Sequence, residues 1–327
     1  MQAKSSSANP VHSLSSAMKQ YSRHLVDLLA LSVVLLWGFS FAAIKISLDW
    51  LHPFALTAVR FLPAALLLFA LLGLGAWRRG RLVLPDRATC FRLFLLGLVG
   101  IPGYNLCLNS GQRLLPSSYA GLVIALNPAM IALFGSLWLK ERLQGRTLAG
   151  LALSLAGLLV MVLGRDSNPA LLRQHLLGTV IAMGAPLCWG IFSVGLRRYS
   201  AQHGSLTVLT IALGLGCLPL LLLWPPDLGL TLAQGGAPLW SSLAFLTIGC
   251  TVYGFSVWSS VLKSMPAARA GSFIYLVPLV AIFAGHSLLG EPLDASLALG
   301  GGIVLGGVWL ATSGRRRVEV PVPEALA

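Results

Sequence analysis

Long apolar segments separated by short polar ones make up almost the whole chain. About 20 apolar residues are needed to cross the hydrocarbon core of a bilayer, and on that rule we count ten spans. The pattern therefore predicts an all-α integral membrane protein with ten transmembrane helices. The predicted spans cover residues 26–47, 53–75, 90–110, 117–139, 144–164, 176–197, 205–224, 238–261, 267–289 and 294–313.

One stretch of the sequence occurs twice, at an offset of 150 residues, because residues 114–160 align without a gap with residues 264–310. The alternative is chance similarity between apolar helices, but a shared apolar composition would not keep proline, glycine and glutamate in register. Each half contains five spans, an odd number, so the second half would be an inverted copy of the first. Secondary transporters are built in this way, with the substrate site near the middle of the membrane. Pro116, Ala120, Gly121, Pro128, Gly135, Glu141, Gly150 and Gly157 recur as Pro266, Ala270, Gly271, Pro278, Gly285, Glu291, Gly300 and Gly307.

The polar segments divide the chain into five parts. We expect residues 1–24 to form a disordered cytoplasmic tail, because they are rich in serine and lack periodicity. No small-residue cleavage site follows the first apolar segment, so we expect no signal peptide. The remaining parts are a first repeat at 25–164, a linker at 165–175, a second repeat at 176–313 and a cytoplasmic tail at 314–327.

The basic residues are distributed unevenly between the two sides of the predicted membrane protein. If the N-terminus is cytoplasmic, eighteen of the 23 Lys and Arg residues lie on the cytoplasmic side, three lie in outer loops and two lie inside spans. Because cytoplasmic loops carry the excess of Lys and Arg, both termini are predicted to be cytoplasmic. The net charge of +13 is explained by this clustering, so we expect the lipid bilayer as a partner and no nucleic acid.

Several short motifs and single residues occur in the order typical of one known family, namely Leu36-Trp37-Gly38, Ala43-Ile44-Lys45, Val59-Arg60-Phe61, Pro128, Trp189-Gly190, Pro278 and Gly290-Glu291. By these residues the chain resembles the EamA family of the drug/metabolite transporter superfamily from about Leu25 to Ser313. The resemblance implies a basket of ten helices around a central cavity, in the inner membrane of bacteria, usually exporting amino acids or other small metabolites. The end of span 4 departs from the usual Gly-Glu pattern. That end reads Lys140-Glu141-Arg142.

Polar and aromatic side chains inside the spans are the candidates for substrate contact, since a polar group in hydrocarbon needs a partner. Asn105, Asn109 and Gln112 fall on one helical face, and Pro128 and Pro278 predict helix bends that expose carbonyl groups. The alternative for the polar groups is hydrogen bonding between helices, and for the tryptophans it is packing. The predicted substrate-binding residues are Trp37, Tyr104, Asn105, Asn109, Asn127, Trp189, Tyr253, Trp258 and Tyr275.

Four charged residues receive separate predictions. Lys45 and Arg60 are the two basic residues that lie clearly within spans rather than at span ends, and an intramembrane charge is a functional hypothesis by default. We therefore consider a contact with a substrate carboxylate, against the alternatives of snorkelling outward or pairing with Asp49. Glu141 and Glu291, at the ends of spans 4 and 9, are predicted to fix the turn that follows.

The positions of the acidic residues and histidines also restrict the class of function. No Asp or Glu lies at mid-membrane, and the histidines lie in tails, loops or span ends, so a membrane-embedded enzyme lacks a nucleophile with its base or acidic metal ligands. We predict no catalytic residue, no metal and no cofactor. The leading hypothesis is a permease or exporter of small solutes, above all amino acids, working by alternating access. The alternative within transport is efflux of drugs or toxic cations, and glycines in spans 5 and 10 leave a homodimer open beside contacts within the chain.

Overall fold

The computed structural model describes residues 10–79, 84–138, 145–165, 168–222, 226–265 and 267–313, with side chains from His24 onward except at 79, 267 and 268. Glu141 and the rest of its turn, residues 139–144, lie outside the described residues, as do residues 1–9 and the predicted tail at 314–327.

Ten helical segments follow one another in the order in which the sequence predicts spans. Nine of them, within the described residues, are long and apolar enough to cross a membrane, and α7 is a shorter apolar helix. A short helix, Leu228–Gln234, lies between α7 and α8. The segments are α1 (Pro10–Leu48), α2 (Pro53–Arg79), α3 (Arg87–Leu114), α4 (Ser117–Trp138), α5 (Gly145–Leu163), α6 (Pro169–His203), α7 (Ser205–Leu221), α8 (Gly236–Ser264), α9 (Ala267–Ile274 and Val277–Leu289) and α10 (Ala295–Thr312).

Two helices begin earlier than the sequence predicts. α1 starts at Pro10, inside the segment expected to be a disordered tail, because extending a helix is much easier than nucleating one. α6 starts at Pro169, inside the expected linker, where Asn168 Oδ1 accepts a hydrogen bond from the Ala170 N–H at 2.9 Å. Asparagine at the N-cap followed by proline is a strong start signal for a helix, so the sequence did contain this boundary.

Equivalent helices of the two halves are interrupted at equivalent places. α3 contains a π-helical segment at Val99–Gly103, and α8 contains one at Phe245–Tyr253. Both segments end at the same repeat position, 103 and 253. α4 is interrupted by a turn at residues 125–126 and α9 by a turn at 275–276, directly before the segments that carry Pro128 and Pro278.

α5 and α10 cross as antiparallel helices on glycine surfaces. Gly157 lies against the Gly300 carbonyl, and Gly150 lies against the Gly307 carbonyl, so that each contact is the repeat image of the other. Ser154 Oγ donates to Val304 O at 3.1 Å, and these two residues are copies of the same repeat position. Copies of one position touch only at a two-fold axis, so the two halves are related by an axis that passes between α5 and α10. These glycines pack within the chain.

Other helix contacts also occur in pairs, in which each helix of one contact is replaced by its repeat copy in the other. α1 packs on α9 as α6 packs on α4, and α3 packs on α6 as α8 packs on α1. The buried residues form several apolar clusters between these helices, with Phe61, Tyr119 and Phe192 among the largest fully buried side chains. These contacts between the halves therefore occur in pairs in which each helix is replaced by its repeat copy.

Candidate functional site

The π segment of α8 is the meeting point of α1, α2 and α8. Trp37 Nε1 donates to Cys250 O at 3.0 Å, and the Cys250 thiol lies 3.3 Å from Leu36 O. A π segment shifts the helical hydrogen-bond pattern by one residue, so that a carbonyl in the middle of α8 is available to a side chain of another helix. The Trp37 ring also packs on Phe255 and Trp258, with ring centroids 6.1 and 5.4 Å away.

Arg60 of α2 reaches the same segment. Its side chain is buried, with 8% of the residue exposed, and its Nε donates to Thr251 Oγ1 at 3.2 Å. The Thr251 hydroxyl donates in turn to Leu246 O at 2.9 Å, so its lone pairs are free to accept from the guanidinium. The Arg60 guanidinium also lies 4.7 Å from the centre of the Phe61 ring.

Tyr104 of α3 connects this region with α4 and α6. The Tyr104 side chain lies beside the Arg60 guanidinium and the Asn127 side chain, and its ring is 5.4 Å from the Trp189 ring. Asn127 Oδ1 is buried and accepts no hydrogen bond within the described residues. We call the group of Trp37, Arg60, Tyr104, Asn127 and Trp189 the central cluster.

Three amide side chains of α3, those of Asn105, Asn109 and Gln112, form hydrogen bonds within the protein. Asn109 Nδ2 donates to Thr57 Oγ1 at 3.1 Å, and Gln112 Nε2 donates to Phe41 O at 2.5 Å, which join α3 to α2 and α1. Asn105 Nδ2 donates to Ile101 O at 2.9 Å, within the π segment of its own helix. Asn109 and Gln112 are therefore hydrogen-bonded between helices, and their side-chain carbonyl oxygens are buried without a partner in the described chain.

A second group of charges surrounds the turn between α3 and α4. Lys45 Nζ donates to Gln112 O and Leu115 O, each at 2.8 Å, at the C-terminal end of α3. The Glu291 carboxylate accepts from the Ser117 N–H at 2.5 Å, and from the Ser118 N–H and hydroxyl at 3.0 and 2.7 Å. Positive charge at a helix C-terminus and negative charge at an N-terminus both suit the helix dipole. We call this group the α3–α4 junction.

Glu291 thus stabilises a helix start in the other repeat. Its own turn is formed by Gly290, whose φ of 65° is the left-handed conformation that ends α9. His286 Nδ1 is 2.9 Å from Glu291 O, across the same turn. Glu141, the repeat copy of Glu291, lies outside the described residues, and its role stays a prediction.

The other aromatic candidates lie away from the central cluster or at its edge. Tyr253 is 39% exposed, and its hydroxyl is 3.0 Å from Ser32 Oγ of α1. The Tyr275 hydroxyl pairs with Thr312 Oγ1 of α10, whereas Trp258 extends the cluster through its contact with Trp37.

Several residues of these sites carried no signal in the sequence. The sequence pattern does not mark any of them as a partner of the predicted side chains, and they are Cys250, Thr57, Ser117, Ser118 and Thr251.

An open pocket of about 480 Å³ lies between the start of α2 and the C-terminal end of α3. Its lining residues are His52, Pro53, Ser110, Arg113 and Leu114. Among the described residues, no group of three or more His, Cys, Asp or Glu side chains converges as metal ligands would.

The comparisons with known proteins agree with this architecture. The sequence model of the EamA-like transporter family matches residues 24–163 and again residues 176–313. An "uncharacterized transporter" of Archaeoglobus fulgidus is 31% identical over 292 residues, which cover 88% of this chain and 96% of that protein. The "probable terminal-alkyne amino-acid exporter" of Streptantibioticus cattleyicolor is 28% identical, covering 87% and 93% of the two chains.

Two further similarities cover nearly whole chains. The "probable amino-acid metabolite efflux pump" of Escherichia coli is 24% identical, covering 88% of this chain and 95% of that protein. A solved structure titled "Crystal structure of protein" matches with a TM-score of 0.58 and 25% identity, covering 91% of this chain and 99% of that chain.

Proposed function

Because this chain belongs to the EamA-like transporter family, we propose that it is a secondary transporter that exports amino acids or related small metabolites by alternating access. It is a multi-pass membrane protein, and its relatives are named as transporters. The export of amino acids is supported by the names of relatives in Salmonella typhimurium and Escherichia coli, both called probable amino-acid metabolite efflux pumps.

The observation that carries the proposal is the two-fold relation between the halves. The contact of Ser154 with Val304, its own repeat copy, supports a two-fold axis between α5 and α10. Inverted halves of this kind can exchange conformations, so that a site between them opens first to one side and then to the other. The interruptions of α3, α4, α8 and α9 lie at equivalent positions in the two halves, where such transporters bind their solute.

The proposed substrate site is the central cluster with Trp258. Trp37, Tyr104 and Trp189 supply aromatic walls, and Arg60 and Asn127 supply polar groups between α2, α4 and α8. In this proposal Asn105 and Asn109 stabilise the helices that form the site, through their hydrogen bonds to Ile101 O and Thr57 Oγ1. Tyr253 and Tyr275 are proposed to lie at the edges of this substrate site.

We propose that all ten helical segments cross the inner membrane of a bacterial cell, with both termini in the cytoplasm. The shorter α7 packs against α2 and α3, in the place that the inverted repeat assigns to a spanning helix. The distribution of Lys and Arg supports the orientation.

A metabolite profile of the culture medium tests the proposed function. Cells that overproduce the protein should release at least one amino acid or related metabolite faster than cells without its gene, and a variant with Trp37→Ala should release it at the rate of the deletion strain. Identical profiles of overproducing and deletion cells would contradict export.

Efflux of aromatic cations is a second candidate, favoured by the pair of tryptophans Trp37 and Trp258, whose ring centroids lie 5.4 Å apart. Aromatic faces attract cations. Overproduction should then raise the minimal inhibitory concentration of lipophilic cations such as ethidium, and an unchanged value would exclude this candidate.

A further inference from the structure

Arg60 is a buried cation in the middle of the protein with few acceptors around it. The residue is 8% exposed, and its one hydrogen bond to the described chain runs to Thr251 Oγ1. A guanidinium carries five N–H donors, and a charge inside a membrane protein needs compensation from polar or oppositely charged groups. The Thr251 hydroxyl and the Phe61 ring, 4.7 Å from the guanidinium, supply no opposite charge and leave most of these donors without an acceptor.

Three other basic residues of the described chain are compensated differently. Lys45 places its ammonium on two carbonyl groups, Gln112 O and Leu115 O, at the end of α3. Arg165 is paired with Asp294 at 3.4 Å, and Arg269 with Asp27 at 2.6 Å. Within the described part of the chain, no Asp or Glu forms an ion pair with Arg60.

The groups next to Arg60 are suited to hold the rest of a bound molecule. Asn127 Oδ1 is a buried acceptor without a donor in the described chain, and the Tyr104 side chain lies close to both Asn127 and Arg60. Asn127 is also the first residue of the second segment of α4. The N-terminal end of a helix carries partial positive charge, which adds to that of the guanidinium.

We propose that Arg60 binds the carboxylate of the transported solute, while Asn127 Oδ1 accepts a hydrogen bond from a donor group next to that carboxylate. The inference rests on the proposed transport function and narrows its substrate class to small carboxylates that carry an adjacent donor, as α-amino acids do. The planar fork of arginine matches a carboxylate by two parallel hydrogen bonds. The rings of Tyr104 and Trp189, 5.4 Å apart, would contact the side chain of the solute.

Matched probes test the carboxylate without any change in the protein. The thermal stability of the purified full-length protein is measured against the twenty standard amino acids and against the carboxamide of each acid that stabilises it. We expect the carboxamide to bind at least about tenfold more weakly than the acid, because it loses the charged pair with Arg60. Equal binding of acid and carboxamide, or stabilisation by none of the acids, would overturn the inference.

Variants test whether Arg60 causes the preference for the acid over the carboxamide. Arg60→Gln should weaken binding of the acid about tenfold and leave the carboxamide within about twofold, so that the acid-to-amide ratio falls toward one. Arg60→Lys should restore part of the ratio. Arg198→Gln removes an exposed arginine of α6 and should leave the ratio unchanged. A folded Arg60→Gln protein that keeps the wild-type ratio would refute the assignment, and if that variant fails to fold, the ratios of Arg60→Lys and of wild type decide.

Counterflow in proteoliposomes separates the inference from the transport function. Wild-type protein that exchanges a solute lacking a carboxylate, and no acid, would leave transport standing and refute the role of Arg60. Wild-type protein that binds acids with the expected ratio but exchanges none of them would refute transport and leave the binding site standing.

Discussion

Trp37 is held by a partner that the sequence did not indicate. Its indole N–H reaches the carbonyl of Cys250, 213 residues away, because α8 is π-helical at that point. In a regular α-helix this carbonyl would accept the N–H four residues on. The depth of Trp37 in span 1 was readable from the sequence, whereas its orientation required the shape of another helix.

We expect Trp37→Ala to lower the export rate at least about tenfold, because the variant removes one aromatic wall of the central cluster and the bond to Cys250 O. Trp37→Phe keeps an aromatic ring but loses the indole N–H. Its export rate should therefore lie between the rates of Trp37→Ala and of the wild-type protein. Trp309→Ala, which truncates a tryptophan that is 62% exposed on α10, is the matched control. Export by a well-expressed Trp37→Ala protein at the wild-type rate would contradict the site assignment.

Glu291 acts at the residue scale on stability. Its carboxylate accepts three hydrogen bonds at the start of α4, and a bond to a charged group contributes about 1.5–3 kcal/mol. Glu291→Ala should therefore lower the melting temperature of the purified protein by several degrees, and Glu291→Gln by less, because the amide oxygen still accepts. Ser260→Ala, which removes an exposed hydroxyl that donates to Ser256 O of its own helix, is the control. An unchanged melting temperature in Glu291→Ala would show that the contact contributes little.

At the scale of helices, the α5–α10 crossing depends on the absence of side chains. A Cβ atom at Gly300 would lie 2.7 Å from Gly157 O, whereas one at Gly302 would meet no atom within 4 Å. The sequence showed that these glycines recur, but not which of them face the partner helix.

This difference gives a prediction with its control on the same helix. Gly300→Ala should destabilise the protein by about 1–3 kcal/mol, because the helices must move apart. Gly302→Ala should be neutral or stabilising by up to about 1 kcal/mol, since alanine favours the helix. Chemical unfolding in detergent measures both, and equal effects would contradict the crossing.

The interruptions of the helices were predictable only in part. The turns in α4 and α9 precede Pro128 and Pro278, and a proline removes an N–H donor and crowds the preceding turn. The π segment of α3 contains Pro102, but the corresponding segment of α8 contains no proline. Its geometry therefore comes from packing and from the polar bonds of Cys250 and Thr251, which no local pattern reveals.

At the scale of the whole molecule, the inverted repeat predicts that equivalent turns lie on opposite sides of the membrane. In a cysteine-free background, Gln144→Cys should react with a membrane-impermeant maleimide only from the cytoplasmic side, and Pro292→Cys only from the outer side. Labelling of both positions from the same side would contradict the inverted arrangement and with it the proposed mechanism.

The sequence by itself determined the number and order of the apolar segments and the 150-residue register of the repeat. Both depend on the length and spacing of residues along the chain, so they can be read without coordinates. The tertiary structure decided which polar groups meet, as in the contacts of Arg60 with Thr251 and of Glu291 with Ser118, separated by 191 and 173 residues. Such contacts depend on the rotation and crossing of helices packed side by side, and a linear pattern of polar and apolar positions does not contain that information.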